Sequence, residues 1–198
     1  KVSEFSRMIQ SENKRMRKQA EKILQMATLE DKDYELSLSE VDAHEVIQNA
    51  VDTIALQVKS RQGTITCRLD AGNPVITADR VHLEAMIQNL LDNANKYSPE
   101  NPEISVRTRN GAQGLLIEIE DRGVGLKEED RKRVFEKYFR VSSGDRHDVK
   151  GFGLGLSYVE LMMKAHGGRV SLESTYGQGT MVRLIFPAGP VKDAEAVG

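Results

Sequence analysis

Cysteine, proline, long apolar runs and excess charge are all scarce in this sequence. A single cysteine, Cys67, cannot build an internal disulfide framework and fits a reducing compartment. With five prolines, 39% apolar and 29% charged residues among 198, the composition is that of a soluble globular chain. No stretch approaches the roughly 18 to 20 consecutive apolar residues that a membrane span requires, so no membrane contact is expected of this segment. A net charge of -2 gives no global basis for binding nucleic acid or an anionic membrane, and any anion site must be local. Internal repeats and low-complexity segments are absent. Lys1 does not look like a native start. The expectation is a cytoplasmic fragment of a longer protein.

What is present is a clear alternation of periodicities. Over residues 1–30, Val2, Phe5, Ile9, Met16, Ile23 and Met26 keep close to the three-to-four spacing of one helix face, with Glu12 and Gln19 interrupting the seam. A basic polar face and an uncovered seam favour a helix that pairs with other helices over one packed on its own domain. Residues 31–35 read as a linker. After it, "ELSLSEV" alternates like a strand, and Asp42 stands as N-cap of a helix that stops at Gly63. "TITCRLD" and "VITA" read as strands, and Asp79 can cap a helix over 80–97 that ends before Pro99. "EISVRTR" and "LLIEIED", joined by "NGAQG", predict an antiparallel hairpin. A short helix near 127–137, a polar loop at 142–151, a helix over about 154–166 and the strands "RVSLEST" and "GTMVRLIFP" follow, before a flexible tail over 188–198. Hairpins with a separate group of helices predict an α+β sandwich, one sheet covered by helices on one face.

Chemistry concentrates in a few places. "DRGVGL" puts Asp121 where apolar strand residues end, followed by Gly123 and Gly125, where backbone can approach a ligand. A partly buried carboxylate needs a donor. The exocyclic amine of adenine supplies one, whereas the carbonyl of guanine does not; an ordinary Asp-x-Gly turn accounts for the same letters. "GFGLGL", with Gly151, Gly153 and Gly155, opens a helix and leaves N–H groups free for phosphate. The Rossmann fingerprint fails because a polar loop precedes these glycines, and a Walker A loop fails because no Gly-Lys-Ser/Thr follows. In "DNANKYSPE", Asn93 can offer an amide oxygen to Mg²⁺, Lys96 an ammonium to phosphate, and Tyr97 a border for the ribose. The alternative makes Asn93 a C-terminal cap and Lys96 a partner of the helix dipole.

"QNLLDNANKYS", "DRGVG", "VFEKYFR" and "GFGLGLS", in that order, resemble the N, G1, F and G2 boxes of the sensor histidine kinases of two-component signalling, and "GQGTMVRLIFP" resembles their closing strand. The similarity covers residues 36–187, and "SENKRMRKQAEKILQMATLE" resembles the second helix of the family's dimerisation and phosphotransfer bundle. The resemblance implies a two-layer α/β sandwich of Bergerat (GHKL) type, its mixed sheet covered by helices on one face, preceded by a long N-terminal helix and binding ATP and Mg²⁺. It implies that Asp121 contacts adenine, that Asn93 binds Mg²⁺ with Asn89 one turn before it, and that Lys96 and Tyr97 meet phosphate or ribose. Gly123 and Gly125 would shape the adenine side, and Gly151, Gly153, Leu154 and Gly155 the phosphate side. Residues 141–150 would form an ATP lid based on Phe135 and Phe139, with Arg140 a phosphate contact. Implied partners are a second copy, through the helical bundle, and a response regulator receiver domain; the full-length protein would be anchored in the bacterial inner membrane.

The family's phosphoacceptor histidine, followed by Glu, a basic residue and Thr-Pro, has no counterpart here. Val-Ile-Gln follows His44-Glu45, which reads as a helix-surface histidine, and His82, His147 and His166 fit no acceptor pattern. The chain is therefore expected to donate the ATP γ-phosphoryl to a histidine upstream of Lys1. Two alternatives remain: an ATP-driven conformational ATPase, disfavoured because Asn89 stands where such enzymes need a glutamate base, and a non-catalytic nucleotide-binding scaffold.

Overall fold

The computed structural model describes residues 35–141 and 152–188 throughout, and before them only Phe5, Ser6, Ile9, Gln10, Asn13, Met16, Arg17, Ala20, Ile23 and Leu24. The chain divides into two compact units, Lys1–Glu35 and Leu36–Gly198. In the first, the described residues are helical, and Phe5, Ile9, Met16 and Ile23 are exposed. Continuity of a helix over 1–30, the loop 142–151 and nearly all of the tail lie outside the described residues.

The second unit follows the order β1 (Ser39–Asp42), α1 (Ala43–Ser60), β2 (Thr64–Leu69), β3 (Val75–Ala78), α2 (Arg80–Tyr97), β4 (Glu103–Gly111), β5 (Gly114–Asp121), α3 (Glu128–Arg131), α4 (Gly155–Ala165), β6 (Arg169–Thr175) and β7 (Gly179–Pro187). Five strands form one mixed sheet in the order β2-β4-β5-β7-β6, with β2 parallel to β4 and every other neighbour antiparallel. β1 and β3 make a separate two-stranded antiparallel ribbon. The α+β sandwich with helices on one face is what the patterning predicts.

Strand alternation builds the core. Ile104 and Val106 of β4, Leu115, Ile117 and Ile119 of β5, and Val182, Leu184 and Phe186 of β7 are buried, and their cross-strand partners fall in common rows. Against them pack Val46, Ile47, Ala50, Ile54 and Val58 of α1, Leu83, Met86, Ile87, Leu90 and Leu91 of α2, and Val159, Met162 and Met163 of α4. Each fully buried Leu or Ile contributes about 2 kcal/mol. On the other face of the sheet the alternate residues form an ion-pair ladder: Arg107 with Glu120, Arg109 with Glu118 at 3.8 Å, and Arg183 with Glu118 at 2.9 Å and Glu173 at 2.5 Å. That ladder keeps the uncovered face hydrophilic.

Local signals set the helix starts. Asp42 accepts from the N–H groups of His44 and Glu45, and Asp79 from those of Val81 and His82. Three expectations need correction. The strand expected over "ELSLSEV" forms only from Ser39, where β3 supplies a partner. α1 ends at Ser60, and its left-handed residue is Gln62 (φ 58°) rather than Gly63. Gly63 is required for closeness instead, since a Cβ there would stand 2.5 Å from the Pro102 carbonyl oxygen. The helix expected over 127–137 is only the single turn Glu128–Arg131, after which turns bury Val134 and lead to Tyr138 in a left-handed conformation (φ 63°).

Candidate functional site

Asp121 ends the inward-facing row of β5. Its cross-strand neighbours are Ile104 and Thr180, whereas the next row inward is Val106, Ile119 and Val182. The carboxylate thus sits at the edge of the apolar layer, half-buried. Burial pushes its pKa up to about 6, against the N–H groups of Gly123 and Thr180, which lower it, while Glu120 adds to the rise. The Gly123 N–H donates to Oδ1 at 2.7 Å.

The backbone following Asp121 is pinned on both sides. The Val124 N–H donates to the Tyr97 carbonyl at 3.0 Å, and a Cβ on Gly123 would lie 2.6 Å from that same oxygen. The Val124 carbonyl accepts from Gly177 N–H at 2.8 Å, and the Leu126 N–H donates to Ser174 Oγ at 2.9 Å. Gly125, buried at φ 61°, lies against the Thr175 carbonyl. Gly179 adopts φ 119°, and any Cβ there would overlap the Asp121 carbonyl oxygen. Thr180 and Gly179 therefore belong to this corner. The sequence reading missed them, although "GQGT" carries the glycine that makes the approach possible.

On the facing helix α2, Asn89 and Asn93 lie one turn apart, both half-buried. A Cβ on Gly155 would lie 3.6 Å from Asn89 Oδ1 and 3.6 Å from Asn93 Nδ2, so the α4 N-terminus meets both amides. The Asn89 amide nitrogen donates to the Ala85 carbonyl at 2.8 Å. Lys96 and Tyr97 complete the helix, with Lys96 Nζ 3.2 Å from the Tyr97 hydroxyl and 4.7 Å from the ring centre. The competing role of Asn93 as a C-terminal cap does not describe this helix end, where Arg61 and Ser98 engage the carbonyls.

The start of α4 differs from those of α1 and α2. Leu154 occupies its N-cap and offers no side-chain hydrogen bond to the first turn. Leu154 is buried, and its carbonyl accepts from the Tyr158 N–H at 3.0 Å and the Ser157 hydroxyl at 3.1 Å. Gly153 accepts from the Tyr138 N–H at 3.0 Å, joining the "VFEKYFR" segment to the glycine loop. Phe135 and Phe139 are half-buried, the Phe139 ring lies 4.4 Å from the Arg133 guanidinium, and Arg140 is exposed. Gly151 lies outside the described residues. The described parts of both glycine motifs and the α2 residues thus gather around the helix side of one end of the sheet. A separate shallow depression lined by Thr66, Arg68, Ser105 and Arg122 opens on the opposite, ion-paired face and has none of these groups.

The histidines hold structural positions. His44 is not a simple surface residue: its Nε2 lies 2.8 Å from Thr108 Oγ1 of β4. His82 is buried, with Nδ1 2.8 Å from the Tyr158 hydroxyl, and burial lowers its pKa. His166, also buried, accepts from the Asp79 N–H at 3.0 Å through Nε2 while Nδ1 donates to the Met162 carbonyl at 2.7 Å. His147 lies outside the described residues. Among the described residues, no helix is long and apolar enough to cross a membrane.

Comparison with known proteins gives this geometry a context. The family model described as histidine kinase-, DNA gyrase B-, and HSP90-like ATPase matches residues 78–190. The sensor protein RprX of Bacteroides fragilis is 44% identical over 185 residues, covering 92% of this chain and 36% of that protein. The histidine protein kinase DivJ of Caulobacter vibrioides is 32% identical over 166 residues, covering 83% and 28%. Full-length ShkA in complex with AMPPNP superposes with a TM-score of 0.72 at 25% identity, covering 85% of this chain and 35% of that one. The mycobacterial sensor histidine kinase MprB superposes at 0.64 with 27% identity, covering 77% and 99%. The chain spans about a third of the length of the two curated relatives. By a family match running through more than half of its length, and by these relatives, the chain belongs to the histidine kinase-, DNA gyrase B- and HSP90-like ATPase family, among the sensor histidine kinases.

Proposed function

We infer that residues 36–187 bind Mg-ATP and donate its γ-phosphoryl to a histidine outside this sequence, for relay to a response regulator. The observation that carries this reading is the meeting of an α4 N-terminus without a side-chain cap and two α2 amides, near the half-buried carboxylate Asp121. The carboxylate accepts the exocyclic amine of adenine, Gly123 and Gly125 let the base approach, and Tyr97 borders the ribose. The N–H groups at Gly155 take phosphate oxygens with the helix dipole behind them, and Lys96 adds a positive charge, with Arg140 at the outer end.

A magnesium ion fits the donor chemistry. Among the described residues no three of His, Cys, Asp and Glu converge on a metal-sized point, whereas Asn93 offers one neutral amide oxygen. Mg²⁺ takes few protein ligands and completes its shell with water and phosphate oxygens. Bound there through Asn93, it would neutralise phosphate charge. The reaction breaks the bond between the γ-phosphorus and the β,γ-bridging oxygen, leaving ADP, and forms a phosphorus–nitrogen bond to the imidazole, which loses its proton. The chain contributes positioning and charge complementarity, which dominate phosphoryl transfer. Asn89 favours transfer over hydrolysis, because an amide donating to Ala85 cannot activate water as a base.

Residues 1–30 act in this reading as the second helix of a dimerising bundle, with 31–35 as linker and 141–150 as the lid. The receiver domain binds the bundle, and membrane anchoring belongs to the longer protein. Titration with Mg-ATP, followed by a phosphate-release assay on the same samples, tests the core of it. Binding with negligible release is expected, and adding an upstream helix bearing the acceptor then yields acid-labile phosphohistidine. Absent binding supports a scaffold, and steady release an ATPase.

A further inference from the structure

α2 ends without the usual left-handed closing residue. Ser98, its C-cap, is extended (φ -78°, ψ 143°), as expected before Pro99. Its last carbonyls therefore need partners from elsewhere, and Ser98 itself reaches only Ala94, at 2.7 Å. Arg61, just beyond the end of α1, closes Asn95 and the turn that follows. One guanidinium nitrogen, Nη1, donates to the Asn95 carbonyl and, at 3.0 Å, to Asn95 Oδ1; the other, Nη2, donates to the Ser98 carbonyl at 3.0 Å and to that of Pro99. A planar fork can hold acceptors from successive residues in one geometry, and its charge complements the negative end of the helix.

These acceptors bracket Lys96 and Tyr97. The carbonyl of Tyr97 in turn receives the Val124 N–H and packs on Gly123, so the same turn supports the loop after Asp121. We propose that Arg61 is a positioning residue of the nucleotide site: by clamping Asn95, Ser98 and Pro99 it fixes the turn that aims Lys96 at phosphate. Arg61 touches no ligand itself. The proposal rests on the assignment of Lys96 to the phosphates given above.

The experiment is a calorimetric cycle with Mg-ATP on the 198-residue chain, using R61A, R61K, K96A and R61A/K96A, with an unfolding midpoint for each. R61A is expected to weaken Mg-ATP by about tenfold, the scale of one lost hydrogen bond to a charged group. R61K, which keeps the charge but not the fork, weakens it by a smaller factor. In the K96A background, R61A costs at most about twofold, since the group it aims is gone. Equal losses in both backgrounds would show a merely structural role and overturn the proposal, as would full affinity in R61A or R61K. Should R61A fail to fold, R61K and R61K/K96A carry the same comparison. K96A binding like the wild type would remove the phosphate assignment and the proposal with it, while a wild-type chain that binds no Mg-ATP would instead refute the nucleotide reading.

Discussion

After Asp121 it is backbone N–H groups and glycines that are fixed in place, whereas around Asn93 and Lys96 it is side chains of one helix that line the site. The adenine corner has N–H groups of Gly123, Val124 and Leu126 committed to fixed acceptors, with Gly125 and Gly179 pressed against carbonyls of neighbouring strands. The side proposed for phosphate presents two amides and an ammonium from one helix, opposite a helix start whose N-cap residue, Leu154, makes no side-chain hydrogen bond. In the proposed reading the base meets a corner fixed within the sheet, whereas the phosphates meet side chains of α2 and the N-terminus of α4. A preformed corner costs little to organise on binding; a face of side chains can adjust as the phosphates change during transfer.

The largest expected effect comes from adding one carbon to the preformed corner. Gly179→Ala forces a Cβ into the Asp121 carbonyl at φ 119°, and is expected to destabilise the fold by about 3 kcal/mol or more. Urea unfolding measures it, and an unchanged midpoint would mean that the corner is not rigid. Asp121→Asn keeps shape and removes charge. It is expected to weaken Mg-ATP about a hundredfold, because the amide can turn a donor toward the adenine amine. Thermal stability should hold or rise, since no charge is then buried. Calorimetry with Mg-ATP and a melting curve read both, and undiminished affinity would remove the adenine assignment.

Much of this was legible in the sequence because the signals are local. Asp79, an apolar stripe and Pro99 delimit α2, and alternation delimits β6 and β7. What was not legible depends on distant contacts. The parallel pairing of β2 with β4 is decided by packing beneath α1 and α2, which no turn residue announces. Gly63 resembles a helix stop but answers to Pro102. Arg61 looks like one more surface charge until α2 is placed beside α1. In the site, Asp121 and the glycines stand out in order, whereas Thr180 enters only through its register opposite Asp121.

The smallest effect tests whether the adenine corner is tuned as well as rigid. The Asp121 carboxyl is raised from its usual 3.8 to about 6, first by burial. Since its folded value exceeds its unfolded one, its contribution to stability is present below about pH 4 and lost as pH rises through about 6. Base recognition as proposed has the opposite sign, because there the ionised carboxylate accepts from the adenine amine. Adenosine, which has no phosphate to titrate, should therefore bind about tenfold more weakly at pH 5 than at pH 7, from the one-proton linkage of a group titrating near 6. A carbon-detected titration of the Asp121 carboxyl should show its midpoint near 6 in the free chain and lower with adenosine bound. A midpoint near 4 in the free chain would mean that water reaches the carboxylate freely, and the corner would then be rigid without being tuned.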